Sequence, residues 1–280
     1  MARTTNQWQG SQKSKFKISL PWLVTWSYLV VILLIPIAAL FAKTLTTSPA
    51  EIWRIATSEI ALSAYEVTFV TALWAGGISG IFGTLLAWVL VRYNFPGKRI
   101  VDAAIDLPFA LPTAVAGISL ATVYSSTGWI GALFAPLGLR IAFSRLGVFI
   151  AMLFIALPFV VRTLQPVLQE LEKEVEEAAW CLGANQWQTF YRVIFPPLIP
   201  AILTGVVLGF SRAVGEFGSV VIVASNIPFE DLIAPVLIFQ RLEEYDYAGA
   251  TIIGMVMLII SLGLILVINF LQKWGQQYDH

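Results

Sequence analysis

The sequence predicts an all-α polytopic membrane protein of about six transmembrane helices, with both termini on the cytoplasmic side. Three observations predict it. Hydrophobic residues make up 58% of the chain and charged residues only 12%, whereas a soluble domain carries about a quarter charged residues. Apolar runs recur at 22–41, 62–91, 101–124, 146–166, 197–225 and 248–270, and about 20 such residues cross a bilayer as a helix. The basic residues are also unevenly distributed. With the N-terminus inside, inner segments hold Arg3, Lys13, Lys15, Lys17, Arg92, Lys98, Arg99, Arg162, Lys173, Arg192 and Lys273, against Lys43, Arg54, Arg140, Arg145 and Arg241 outside. Basic residues concentrated in cytoplasmic segments set this orientation.

A basic tail, 1–21, precedes the first span, WLVTWSYLVVILLIPIAALF at 22–41. That run exceeds a signal-peptide core and no small-x-small cleavage site follows, so it reads as a retained helix. The second span carries Gly76 and Gly80, a small-xxx-small spacing that lets another helix approach closely. The third contains Pro108, Pro112 and Gly117. Each proline removes a backbone donor, which predicts a break that either packs the bundle or lines a path. Glu66, Asp102 and Asp106 fall near span ends, where headgroups and water are expected to solvate them.

Between the fourth and fifth spans lies a charged, Ala-rich island, EKEVEEAAWCLGANQWQTFYRVIFPPLIP at 172–200. Its acidic start and later Arg192 suit a helix dipole. Ala178, Ala179, Leu182 and Gly183 are expected to form a small-residue ridge beside Trp180, Trp187, Phe190 and Tyr191. Pro196, Pro197 and Pro200 are expected to mark the turn into the fifth span. One reading is a solvated connecting helix; the other is a surface for docking another protein. Arg212 and Glu216 then sit within the fifth span at i, i+4, where ionisable groups are functional candidates. They either pair to pin the bundle or line a path, with Ser211 and Ser219 as hydroxyl donors on the same face. Glu230, Asp231, Glu243, Glu244 and Asp246 gather acidic charge in the outer loop, and 271–280 forms a cytoplasmic tail.

Much chemistry is excluded. One cysteine, Cys181, and one histidine, the terminal His280, leave no catalytic constellation and no metal site to build. The chain has no G-x-x-x-x-G-K-[ST] phosphate loop, so it is not expected to bind ATP in the usual phosphate-loop way, and no cofactor is expected on this chain. A formal net charge of zero gives no pull toward nucleic acid.

Glu177-Ala178-Ala179, then Gly183, Val193 and Phe195-Pro196, resembles the EAA signature of ATP-binding-cassette importer permeases, with Val193 and Phe195 standing for its Ile and Leu. The stretches 92–99 and 106–117, Ser211-Arg-Ala-Val-Gly-Glu-Phe-Gly218 and the following outer loop resemble the bacterial sulfate/thiosulfate permease family, T subunit. The Arg-x-x-Gly-Glu-Phe-Gly element is shared with molybdate permeases. The resemblance implies a type I importer (MetI-like) core over 62–265, with 170–196 as the segment that couples to an ATPase. It implies a non-catalytic subunit in a bacterial inner membrane. Its partners would be a homologous W-type permease, two ATPase subunits carrying ATP and Mg, and a periplasmic binding protein. Sulfate or thiosulfate would be the cargo. Another oxyanion such as molybdate stays open, as does an ion-coupled secondary transporter, although no clear internal repeat of the kind such transporters carry is visible.

Overall fold

The computed structural model describes residues 20–276. The basic residues Arg3, Lys13, Lys15 and Lys17, and His280, lie outside the described residues. The chain divides into two units, Met1–Thr46 and Thr47–His280. The first contains α1, Leu20–Thr44, whose apolar surface suits lipid. A π-helical turn at Val30–Leu34 precedes Pro36, and the Ile35 N–H reaches back to the Val30 carbonyl. Such a wide turn accommodates the donor that proline lacks.

The second unit is a helical bundle. Its elements are α2 (Pro49–Ala56), α3 (Glu59–Arg92), α4 (Lys98–Ile105), α5 (Leu107–Ala110), α6 (Thr113–Tyr124), α7 (Gly131–Phe134), α8 (Arg145–Glu170) and α9 (Lys173–Cys181), followed by α10 (Gln186–Val214), α11 (Val220–Val223), α12 (Ala234–Glu243) and α13 (Tyr247–Gln276). Five helices, α1, α3, α8, α10 and α13, are long and apolar enough to cross a membrane among the described residues. The expected third span is not one helix. It is α4, α5 and α6 in series, because Pro108 and Pro112 each open a new helix rather than kinking an existing one. The segment expected as a tail from 271 remains helical to Gln276.

The core is α3, α8 and α10, packed through glycine. The Ser58 hydroxyl caps α3 by accepting from the Ala61 N–H, and its 34 residues run about 51 Å, so its ends project beyond the hydrocarbon. A Cβ added at Gly76 would stand 3.3 Å from Phe210 Cβ, and one at Gly80 would meet Val206 at 2.8 Å. Gly83 and Gly205 both face Val160, and Gly209 faces Ala156. Small residues let helices approach closely where lipid provides no hydrophobic drive between them. Pro158 and Pro166 lie inside α8 without ending it.

The segment 224–246, expected as an outer acidic loop, folds back into the bundle. Leu232, Ile233, Ala234, Val236 and Leu237 are core residues, and the Ala234 N–H donates to Thr68 Oγ1 at 2.8 Å. Thr68 lies nine residues inside the N-terminal end of α3, about 14 Å along its axis. Asp231 therefore does not belong to an exposed acidic cluster. It is fully buried and accepts from the Ser225 N–H (2.6 Å), Ser225 Oγ (2.8 Å) and the Ile227 N–H (3.0 Å). Irregular backbone at this depth persists because protein groups satisfy it.

Candidate functional site

Residues 170–196 do not form one ridge. Helix α9 ends in a Schellman turn, with the Ala184 N–H donating to Ala179 O and the Gly183 N–H to Trp180 O. Gly183 has φ +83°, a left-handed conformation that glycine adopts without penalty. Its place is thus the helix stop rather than the helix face. Asn185 and Gln188 then build a capping box that starts α10. Prolines 196, 197 and 200 make no turn. A π-turn at Phe190–Ile194 precedes Pro196 and Pro197, Pro200 lies inside the helix, and the helix runs on to Val214.

This geometry sorts the expected docking residues. Glu177, Ala178 and Gly183 are exposed, with Trp180, Leu182, Trp187 and Tyr191 beside them. Ala179 turns inward and is buried. Phe190 is half-buried and meets the Trp88 ring edge-on at 5.8 Å. The exposed surface is therefore Glu177, Ala178, Leu182 and the aromatic side chains, with Ala179 beneath it. Trp187 and Tyr191 stack at 5.9 Å, one turn apart on α10.

The second set of residues gathers where two helices are interrupted. Helix α10 ends at Val214, and α11 begins at Val220. Phe210 packs beside Gly76, midway along α3, so the gap at 215–219 lies inside the bundle. The other gap, Leu111–Pro112, adjoins it. A Cβ on Gly117 would stand 2.7 Å from the Ser219 carbonyl oxygen, and one on Gly218 would strike Thr113 Oγ1. Only glycine lets the start of α6 lie against this backbone.

Glu216 organises the gap. It is 1% exposed, and its Oε1 accepts from the Ser219 N–H (2.9 Å) and Ser219 Oγ (2.8 Å), while Oε2 accepts from Arg212 Nη1 (2.8 Å). The carboxylate thereby caps the backbone left open beyond α10. Arg212 differs: its side chain is 38% exposed, and among the described residues Nη1 carries its one hydrogen bond. The rest of the guanidinium fork is open. Ser219 is fully buried and engaged by Glu216, and Ser211 Oγ donates to the Val207 carbonyl at 2.8 Å. Neither hydroxyl presents a spare proton beside Arg212.

A further cluster was not expected from sequence. Arg162 of α8 donates through Nε and Nη2 to both oxygens of Asp106 (2.7 and 2.5 Å) and through Nη1 to Asp102 Oδ1 (2.7 Å) and Gln165 Oε1 (2.5 Å). Nη2 also reaches the Asp102 carbonyl at 2.8 Å. Asp102 and Asp106, whose side chains stay 44% and 48% exposed, are thus bound by a protein cation as well as open to solvent, because Arg162 offers a planar bidentate fork. The signal was present: two aspartates one turn apart, and an arginine within the apolar run 146–166.

Residues 79–277 match the model of the family described as "Binding-protein-dependent transport system inner membrane component". The chain belongs to this family. As a family member it is a multi-pass membrane component of a transport system, not an enzyme by itself. The "Sulfate transport system permease protein CysT" of Synechocystis is 68% identical over 93% of this chain and 91% of its own length. The "Probable sulfate transport system permease protein cysT" of Chlorokybus atmophyticus is 63% identical over 96% and 94%. In fold, the family member resembles a chain of the bacterial alginate ABC transporter, with TM-score 0.73 at 19% identity over 90% of this chain and 92% of that one. It also resembles a chain of the inward-facing MetNI methionine ABC transporter, with TM-score 0.55 at 18% identity over 84% and 100%.

Proposed function

We propose that this chain is the T-type transmembrane subunit of an ATP-driven sulfate and thiosulfate importer in a bacterial inner membrane. The observation that carries the cargo assignment is its 68% identity, across nearly the whole chain, to a relative named as a sulfate permease. A homologous W-type permease completes the membrane pair. Two ATPase subunits bind ATP and Mg, and a periplasmic binding protein delivers the anion.

The ATPase docks on Glu177, Ala178, Leu182 and the exposed Trp180, Trp187 and Tyr191. The coupling follows from one element. Helix α10 begins within the docking segment and carries Arg212 in its last turn, 26 residues or about 39 Å away. Closure of the ATPase dimer displaces the near end of α10, and the far end moves with it. Arg212, held on one side by Glu216, directs its free donors at the passing anion. A planar guanidinium suits a tetrahedral oxyanion, and its charge offsets part of a dianion's desolvation. Glu216 maintains the geometry of the gap rather than contacting cargo, since an exposed carboxylate would repel it.

The test is radiolabelled sulfate uptake in cells lacking their own sulfate permease, supplied with the partner subunits, with and without this chain. Uptake that depends on this chain and is competed by thiosulfate supports the assignment. No uptake by an assembled complex, with uptake of molybdate instead, overturns it.

A further inference from the structure

The docking helix α9 has two residues that turn away from its exposed face. Glu176 is half-buried and Ala179 is buried, whereas Lys173, Glu174, Val175, Glu177, Ala178, Trp180 and Cys181 are all exposed. Three residues apart, Glu176 and Ala179 share one side of the helix. Glu176 Oε1 lies 2.6 Å from Arg92 Nη2 as an ion pair whose atoms are not aligned as a hydrogen bond, with only 16% and 13% of the two side chains exposed. Arg92 is the last residue of α3. Its guanidinium stands 5.3 Å from the centroid of Trp88, one turn earlier, and Trp88 meets Phe190 edge-on. Trp88 thus touches both the cation and the start of α10.

The chain connects α9 directly to α8 through Leu171 and Glu172. It has no comparable connection to α3, which is 80 residues away in sequence. The Arg92–Glu176 pair supplies one. An exposed ion pair would fasten the two helices only weakly. A shielded pair with a cation–π partner is held more firmly, and loss of one member leaves the other buried and unmatched.

We propose that Arg92 is a positioning residue that fastens the docking helix to α3 through Glu176, so that displacement of α9 drives α3 together with α8. The proposal rests on the docking reading above. Without the pair, the ATPase still binds and hydrolyses ATP, but its stroke is only partly delivered to the bundle. The affected quantity is then sulfate moved per ATP.

The test uses the complete complex in proteoliposomes with its loaded binding protein. Variants are Arg92→Met, Glu176→Gln and the exchange Arg92→Glu with Glu176→Arg. Three readouts are needed: ATPase retained on purification, stimulated ATP hydrolysis, and radiolabelled sulfate transported per ATP. Each single variant should keep its ATPase and hydrolysis, while transport per ATP falls by about tenfold, the scale of a coupling element. The exchange should recover most of that loss. Unchanged transport per ATP in either single variant overturns the proposal. So does an exchange no better than the singles, or singles that fail to assemble while the exchange assembles, which would make the pair structural only. A Leu182→Glu control separates the docking reading: if that variant retains its ATPase as well as the parent does, the docking surface is wrong whatever the Arg92 result.

Discussion

Replacing Glu216 tests whether the gap beyond α10 is held by one carboxylate. Glu216→Ala removes the acceptor for the Ser219 N–H and hydroxyl, both buried, and the partner of Arg212. Each buried donor left unmatched costs about 1–3 kcal/mol. Arg212 is partly exposed and recovers some solvation, so its share is discounted. The sum is about 3–5 kcal/mol, a large part of the 5–15 kcal/mol that holds a typical domain together. Glu216→Gln keeps an amide oxygen for both Ser219 donors but sets its NH2 against the Arg212 donor, so Arg212 must turn to solvent, at about 1–2 kcal/mol. Thermal unfolding of the purified complex in detergent reads the difference. At about 2–4 °C per kcal/mol for a chain of this size, the Ala variant should melt about 10 °C lower and the Gln variant about 4 °C lower. An Ala variant melting within about a degree of the parent would refute the reasoning, since the three bonds would then stabilise nothing.

Arg162→Lys keeps the charge but not the fork, so it should loosen α4 and α5 from α8; hydrogen exchange over 98–112 should speed up severalfold, while exchange in α3 stays unchanged. Gly183→Ala meets no neighbouring atom within 4 Å, so its penalty of about 1–2 kcal/mol comes from the left-handed backbone alone. It should reduce recovery of bound ATPase on purification, and Gly183→Asn, which tolerates that conformation better, should reduce it less. Gly117→Val would force α6 away from the Ser219 carbonyl and should abolish sulfate uptake in complexes that still purify intact.

The membrane class and most of the spans were legible because hydropathy over twenty residues outweighs local detail. Pro108 and Pro112 announced the first interruption by removing donors. The second, at 215–219, carried no proline; Gly215 and Gly218 flank Glu216 and Phe217, and the structure reveals the break where the helix ends at Val214 and the Ser219 backbone packs against Gly117. The segment 172–200 reads in sequence as one small-residue ridge, but the end of α9 divides it. A left-handed glycine and a glycine on a helix face look alike in sequence, and here the hydrogen bonds of Ala184 and Gly183 distinguish them. Asp231 looked like surface charge because its partners, Ser225 and Ile227, are loop groups with no pattern of their own. The ion pairs Arg162–Asp106 and Arg92–Glu176 join segments 56 and 84 residues apart, a pairing that periodicity cannot supply.

The most direct test of the account is sulfate uptake per assembled complex for Arg212→Ala and Arg212→Lys, with the parent alongside. If Arg212 offers its free donors to the anion, Arg212→Ala should abolish uptake while leaving bound ATPase unchanged, and Arg212→Lys should retain a fraction of the parental rate. Parental uptake by a fully assembled Arg212→Ala complex would contradict the account and confine Arg212 to holding Glu216.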